Sequence, residues 1–305
     1  MDTPKNDRII SIDEELVKGA LPKREKDTNK ASFGRISLFV GSEKYFGAAA
    51  LALEAALRGG VGYATLVSVS EVNKLMKLKF PEALYKERKP FSEMEKEDIE
   101  ALAASDEVHG NIVIGPGCEA SAELCLLLLE LMNTDGGFIL IDADAINSLA
   151  LDRERAINAI KNSRRRVILT PHPLEFSRLS GLDIPKGAEA RVSAVKRFYS
   201  EIKGSNLNHV LLLKGAGTLV YGGDMLFINT SGSSALAKAG SGDVLSGLIG
   251  ALLAQNPKSD TKTVASAAYL HGAAADRLSL ELSEYGVIPS DLPCAIAKEI
   301  KRIIK

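Results

Sequence analysis

The chain predicts an α/β fold: a central, mostly parallel sheet covered by helices on both faces, with a β-hairpin late in the chain. Two patterns carry that expectation. Between about residue 35 and residue 214, short β-branched or apolar runs alternate with longer stretches of helical spacing, the signature of βαβ units. After Lys214 the alternation gives way to two apolar runs around Gly222-Gly223-Asp224 and then to a helical remainder.

The strands are expected at 36–40, 63–69, 111–114, 137–141, 167–170 and 210–213. Each is short, apolar and bounded by turn residues, as strands buried on both faces are. Helices are expected at 48–58, 121–132 and 188–202, where apolar residues recur with helical period. The hairpin joins 218–221 to 225–229, and helices at 241–254, 261–282 and 292–304 then pack on the finished sheet. One domain is expected over 1–305, with residues 1–30 as an N-terminal extension.

Net charge is -1 and the basic residues are spread along the chain, so no electrostatic footprint for nucleic acid or an anionic membrane is present. The run Arg164-Arg165-Arg166 follows a helical stretch and reads as charge complementing a helix dipole. Cys118, Cys125 and Cys294 are odd in number and form no CxxC pair, which argues against a disulfide framework or zinc site and for a reducing cytoplasm. No membrane span or signal core is read. The expected partner is a small molecule.

No P-loop string occurs. Gly115-Pro116-Gly117-Cys118-Glu119-Ala120 matches the dinucleotide fingerprint formally, but Pro116 removes an amide from the loop. Residues 229–243 give a stronger signal, because Gly232, Gly240 and Gly242 surround small residues just before a helix. Glycine-rich backbone at a helix N-terminus suits phosphate. Asp243 at that end is either an ordinary cap or a base beside a phosphoryl group. Gly41-Ser42, residues 142–144, 170–175 and 214–218 follow expected strands, and open parallel sheets gather ligands at those ends. His271 is expected in the core, and His109 and His209 at the surface.

Taken in order, Leu21-Pro22-Lys23-Arg24, Gly41-Ser42, Gly47-Ala48-Ala49, Gly115-Pro116-Gly117, Asp142-Ala143-Asp144-Ala145-Ile146-Asn147, Thr170-Pro171-His172-Pro173-Leu174-Glu175-Phe176, Lys214-Gly215-Ala216-Gly217-Thr218, Ala239-Gly240-Ser241-Gly242-Asp243, His271-Gly272 and Ser290-Asp291-Leu292 resemble the ADP- or ATP-dependent NAD(P)H-hydrate dehydratases. These form a branch of the ribokinase-like superfamily, and the resemblance covers nearly the whole chain.

The resemblance implies a carbon–oxygen lyase of nicotinamide repair. It would dehydrate the S epimer of NADHX or NADPHX by phosphorylating the ring hydroxyl from ADP or ATP and releasing phosphate. Carried over by position, Asp243 is the general base and Gly240, Ser241 and Gly242 are donors to the moving phosphoryl group. Ala48, Gly117, His172 and Asp243 hold the hydrate. Lys214, Gly215, Ala216, Gly217, Thr218 and Gly242 hold the adenylate, and Glu175 serves Mg2+ through water. Bacterial members lean towards ADP, relatives commonly form homo-oligomers, and a separate epimerase is an expected partner.

The chain departs from the common pattern in two places. Lys238 is expected to add charge near the phosphates, and Glu119 stands where glycine is frequent. The alternatives are a kinase of a small hydroxymethyl compound and a non-catalytic adenylate-binding regulator.

Overall fold

The computed structural model describes residues 8–183, 187–204, 209–256 and 261–305, so the first seven residues of the expected N-terminal extension lie outside it. Among the described residues the sheet has ten strands: β1 (Arg8–Ser11), β2 (Arg35–Phe39), β3 (Tyr63–Ser68), β4 (Leu84–Glu87), β5 (Asn111–Ile114), β6 (Phe138–Ile141), β7 (Arg166–Leu169), β8 (Val210–Leu213), β9 (Leu219–Gly222) and β10 (Met225–Ile228). Their order is β1-β10-β9-β8-β7-β6-β5-β2-β3-β4. Pairing is parallel except around β9, which runs antiparallel to both β8 and β10. The late hairpin therefore closes one side of a parallel sheet, and β1 pairs parallel with β10 at its edge.

Alternate residues of each strand feed two separate cores. Leu38, Val113, Leu140, Ile168 and Leu212 point to one face. Phe39, Ile114, Ile141, Leu169 and Leu213 point to the other. Because both faces are dry, the strands lack an alternating polar face, and their continuous apolar runs follow. Helix Ser241–Gln255 lies on the first face. Side chains at Gly247 and Gly250 would strike the Ala52 carbonyl and the side chains of Ile36 and Val113, so these two glycines let the helix approach both helix Phe46–Arg58 and the sheet.

Three polar side chains stand differently from the sequence expectation. His209 is buried, with its Nδ1 accepting from the Val167 amide at 3.0 Å. Burial pushes its imidazole down to about 4. Arg165, the middle of the basic run, is also fully buried. It donates to the carbonyls of Thr134 (3.0 Å), Gly110 (3.1 Å) and Asp135 (2.9 Å), and to that of Val108. Thr134 is the C-cap of helix Ala122–Asn133, to whose last carbonyl Arg164 also donates at 3.4 Å, so the run meets a helix C-terminus as expected and Arg165 in addition ties loops together. Lys238 donates to the carbonyls of Glu284 (3.1 Å), Tyr285 (2.8 Å) and Val287. Its ammonium is thus held by the last turn of helix Thr261–Gly286 and the residue after it.

Candidate active site

Strand order decides which loops meet. Since β8, β7, β6, β5 and β2 are parallel neighbours, the segments after them share one rim in the order Lys214, His172, Asp142, Gly115-Pro116-Gly117, Gly41. The rim expected from sequence is therefore formed, and helix Ser241–Gln255 brings Asp243 to it from the first face.

At the N-terminus of that helix, Gly240 is the N-cap in a left-handed conformation (φ 101°, ψ -20°), and no side chain caps the turn. Asp243 is the third helical residue, and no hydrogen bond joins its carboxylate to another described residue. The capping alternative is thereby removed. Gly242 faces Lys214, whose Nζ would lie 3.4 Å from a Cβ there, so the bare backbone leaves room between the helix end and the ammonium.

Asp142 organises these charges. It is buried, pairs with Lys214 Nζ at 2.7 Å and accepts from Ser246 Oγ at 2.6 Å. Ser246 lies almost one turn beyond Asp243, so the second contact fixes the helix against β6. Asp144 accepts from the Glu119 amide at 2.9 Å. Glu119 has φ 61°, the left-handed region where glycine is free of strain, which gives a physical reason for glycine to be frequent there.

Neighbouring charges perturb two carboxylates and the lysine of this cluster. Burial, then repulsion from Asp142, pushes the Asp243 carboxyl up to about 7 against the pull of Lys214. Burial likewise raises Glu175 to about 7, with Lys214 opposing. Burial disfavours the Lys214 ammonium, but attraction from Asp142 and Glu175 outweighs it and holds Lys214 above its ordinary value. A carboxyl near 7 in a cleft is the property a general base needs.

His172 is the N-cap of helix Pro173–Ser180. Its Nδ1 accepts from the amides of Leu174 and Glu175, while Glu175 Oε2 accepts from the His172 amide at 2.8 Å. Its Nε2 lies 3.1 Å from Glu175 Oε1. The imidazole therefore has a structural task, yet its side chain remains 45% exposed and able to meet a ligand. Glu175 Oε2 is thus committed to the cap, while Oε1 only lies near the imidazole.

The other expected residues divide between two places. Lys214, Gly215, Ala216, Gly217, Thr218 and Gly242 all line one cavity of about 860 Å³, within the range of small-molecule sites. Ala48 and Gly117 meet each other: a Cβ on Gly117 (φ 64°) would lie 2.8 Å from that of Ala48. Two contributors were missed from sequence. Arg191 grips the 214–216 loop by donating to the Ala216 carbonyl and to that of Lys214 at 3.3 Å, and no local signal marks it. Ser246 could have been found, because it stands three residues after Asp243 on a helix.

The family model of NAD(P)H-hydrate dehydratase matches residues 36–302. The ADP-dependent (S)-NAD(P)H-hydrate dehydratase of Bacillus subtilis is 30% identical over 293 residues, 95% of this chain and 97% of the relative. The bifunctional NAD(P)H-hydrate repair enzyme of Moorella thermoacetica is 32% identical over 275 residues, 89% of this chain but 50% of the relative. This chain thus spans about half the length of the bifunctional relatives it matches. The solved structure of ADP/ATP-dependent NAD(P)H-hydrate dehydratase from B. subtilis, co-crystallized with ATP and Mg2+, superposes with a TM-score of 0.78 at 28% identity, covering 95% of this chain and 97% of that one. By fold, by the assembly of its rim and by these matches, the chain belongs to the NAD(P)H-hydrate dehydratase family.

Proposed function

We infer that this chain dehydrates the S epimer of hydrated NADH or NADPH, using ADP or ATP as the phosphoryl donor. The observation that carries the reading is Asp243: an uncapped carboxylate with a pKa of about 7, at the open positive end of a helix, beside Lys214 and a nucleotide-sized cavity.

Hydroxide leaves poorly, so the ring hydroxyl is first converted to a phosphate ester. Asp243 takes the hydroxyl proton as the oxygen attacks the terminal phosphorus, and the bond from phosphorus to the nucleotide breaks with its electron pair on AMP or ADP. The amides of Gly240 and Gly242 and the Lys214 ammonium stabilise charge on the moving group, whereas the Ser241 amide, expected to join them, is donated to the Lys238 carbonyl at 3.2 Å. The ester C–O bond then breaks with its pair on phosphate, the adjacent ring carbon loses a proton, and the double bond returns. Ala48, Gly117 and His172 hold the hydrate, while Lys214 to Thr218 and Gly242 hold the nucleotide.

The donor set fits Mg2+ carried on the nucleotide phosphates. Asp142 and Asp144 raise the electrostatic cost of charge on Asp243 and on Glu175, which a cation would relieve. Among the described residues no group of three or more acidic, histidine or cysteine side chains forms a cage. Glu175 is the residue that the family resemblance assigns to hold the ion through water, where Mg2+ would neutralise phosphate charge. Assembly into a homo-oligomer, a cytoplasmic setting and reliance on a separate epimerase belong to the same proposal.

The test is direct. Chemically hydrated NADH incubated with the protein, Mg2+ and either ADP or ATP should regain reduced-nicotinamide absorbance, with AMP or ADP and phosphate formed in equal amount. No recovery with either nucleotide would refute the assignment; phosphorylation of a hydroxymethyl compound instead would favour the kinase alternative.

A further inference from the structure

Lys238 opens the turn that leads into Asp243, yet its ammonium stays out of the cavity, whose lining on this side passes from Ala237 to Ser241. Its carbonyl accepts from the Ser241 amide at 3.2 Å, which closes residues 238–241 into a hydrogen-bonded turn. Its Nζ donates to the carbonyls of Glu284 at 3.1 Å and Tyr285 at 2.8 Å, and to that of Val287. One residue is therefore tied to the turn through its backbone and to the end of helix Thr261–Gly286 through its side chain.

That helix is broken at Ser283, with φ 61° and ψ 162°, a conformation costly for any residue but glycine. Beyond the break three carbonyls face one ammonium, and the chain then returns to the turn. A Cβ on Gly240 would lie 3.3 Å from that of Pro289, and Leu51 approaches the same position. The contacts thus form a closed ring: Lys238 holds residues 284–287, which lead to Pro289, which packs on Gly240. Glu284 and Tyr285 are exposed, so water can serve their carbonyls when the ammonium is removed, and the fold gains little from the clasp. The turn gains a fixed position. We propose that Lys238 is a positioning residue for phosphoryl transfer, seating Pro289 against Gly240 so that the Gly240 and Gly242 amides and the Asp243 carboxylate stay aimed at the reacting groups. Lys238 acts through the turn and touches neither reactant. The main charges acting on the Asp243 carboxyl are Asp142, Lys214, Asp144 and Glu175, so the contribution of Lys238 is geometric.

This inference rests on reading Asp243 as the base, and the experiment separates the two. The full-length protein and its Lys238→Met and Lys238→Arg variants are compared by thermal melting and by steady-state kinetics on hydrated NADH with ADP, on both sides of neutral pH. Methionine keeps much of the side-chain volume and removes the charge and its donors, whereas arginine keeps a cation with several donors. The methionine variant should melt within about 4 °C of wild type. It should lose about tenfold in kcat, less than the hundredfold or more that deleting a donor costs, because the amides are misaimed and not removed. Its KM for the hydrate should be unchanged, since Ala48, Gly117 and His172 lie outside the clasp, and the acid limb should stay near pH 7. Arginine should recover most of the kcat. A methionine variant with wild-type kcat, a loss that arginine does not recover, or an acid limb that moves would overturn the positioning role alone. A wild-type protein inactive with both ADP and ATP would remove the functional reading and this inference with it.

Discussion

Replacing Asp243 by asparagine should stabilise the fold while abolishing turnover. In the folded protein the Asp243 carboxyl rises from 3.8 to about 7, so above pH 7 the native state holds a charge that its surroundings disfavour. At about 1.4 kcal/mol per decade the interval bounds the effect near 4 kcal/mol. The side chain is partly exposed, and solvent screening brings the expectation to about 2 kcal/mol. The sign follows from linkage. Below pH 4 the carboxyl is protonated whether the chain is folded or not, and asparagine gains nothing; the gain grows between pH 4 and 7 and is complete above it. Urea unfolding at pH 8 and pH 5, at fixed ionic strength, measures the difference. Turnover should fall by about 10² to 10⁴, and wild-type kcat/KM, which reports the free enzyme, should drop about tenfold for each pH unit below 7. An asparagine variant no more stable than wild type at pH 8, or equally favoured at pH 5, would refute the electrostatic account. Near-normal turnover would make another group the base.

Two further substitutions probe the rest of the rim. Lys214→Met leaves Asp142 buried without its cation and should cost about 3 to 5 kcal/mol in urea unfolding. Because Lys214 opposes the upward push on Asp243, the acid limb of any residual activity should also move to higher pH. Gly117→Ala forces a Cβ into contact with Ala48 in a left-handed conformation. It should cost about 1 to 3 kcal/mol of stability and raise KM for the hydrate in steady-state assays, while calorimetric affinity for ADP stays unchanged.

The interior strands were legible because a strand covered on both faces writes an uninterrupted apolar run, as Val210–Leu213 does. β4 left no such trace: it is an edge strand whose Leu84, Lys86 and Glu87 are exposed, so its sequence resembles a loop. β1 was missed for a similar reason, being four residues long with a single neighbour. At the rim, the capping role of His172 was readable in principle, since Pro173 and Glu175 stand at the first and third helical positions. The Lys214–Asp142 pair was not, because only β7 between β6 and β8 brings residues 142 and 214 together. His209 was misplaced, and the burial of Arg165 went unforeseen, because polar side chains are usually exposed. What buries them is a convergence of backbone groups from distant loops, which no local pattern records.

The pairing of β1 with β10 constrains how the molecule is made. Arg8 meets Met225 and Ser11 meets Ile228, so an early segment of the chain finds its place only after the last strand of the described residues has been synthesised. Until then that edge of the sheet cannot close, and loop-closure entropy makes such remote pairings slow. The border between β1 and β10 is therefore expected to close later than the pairings among the central strands.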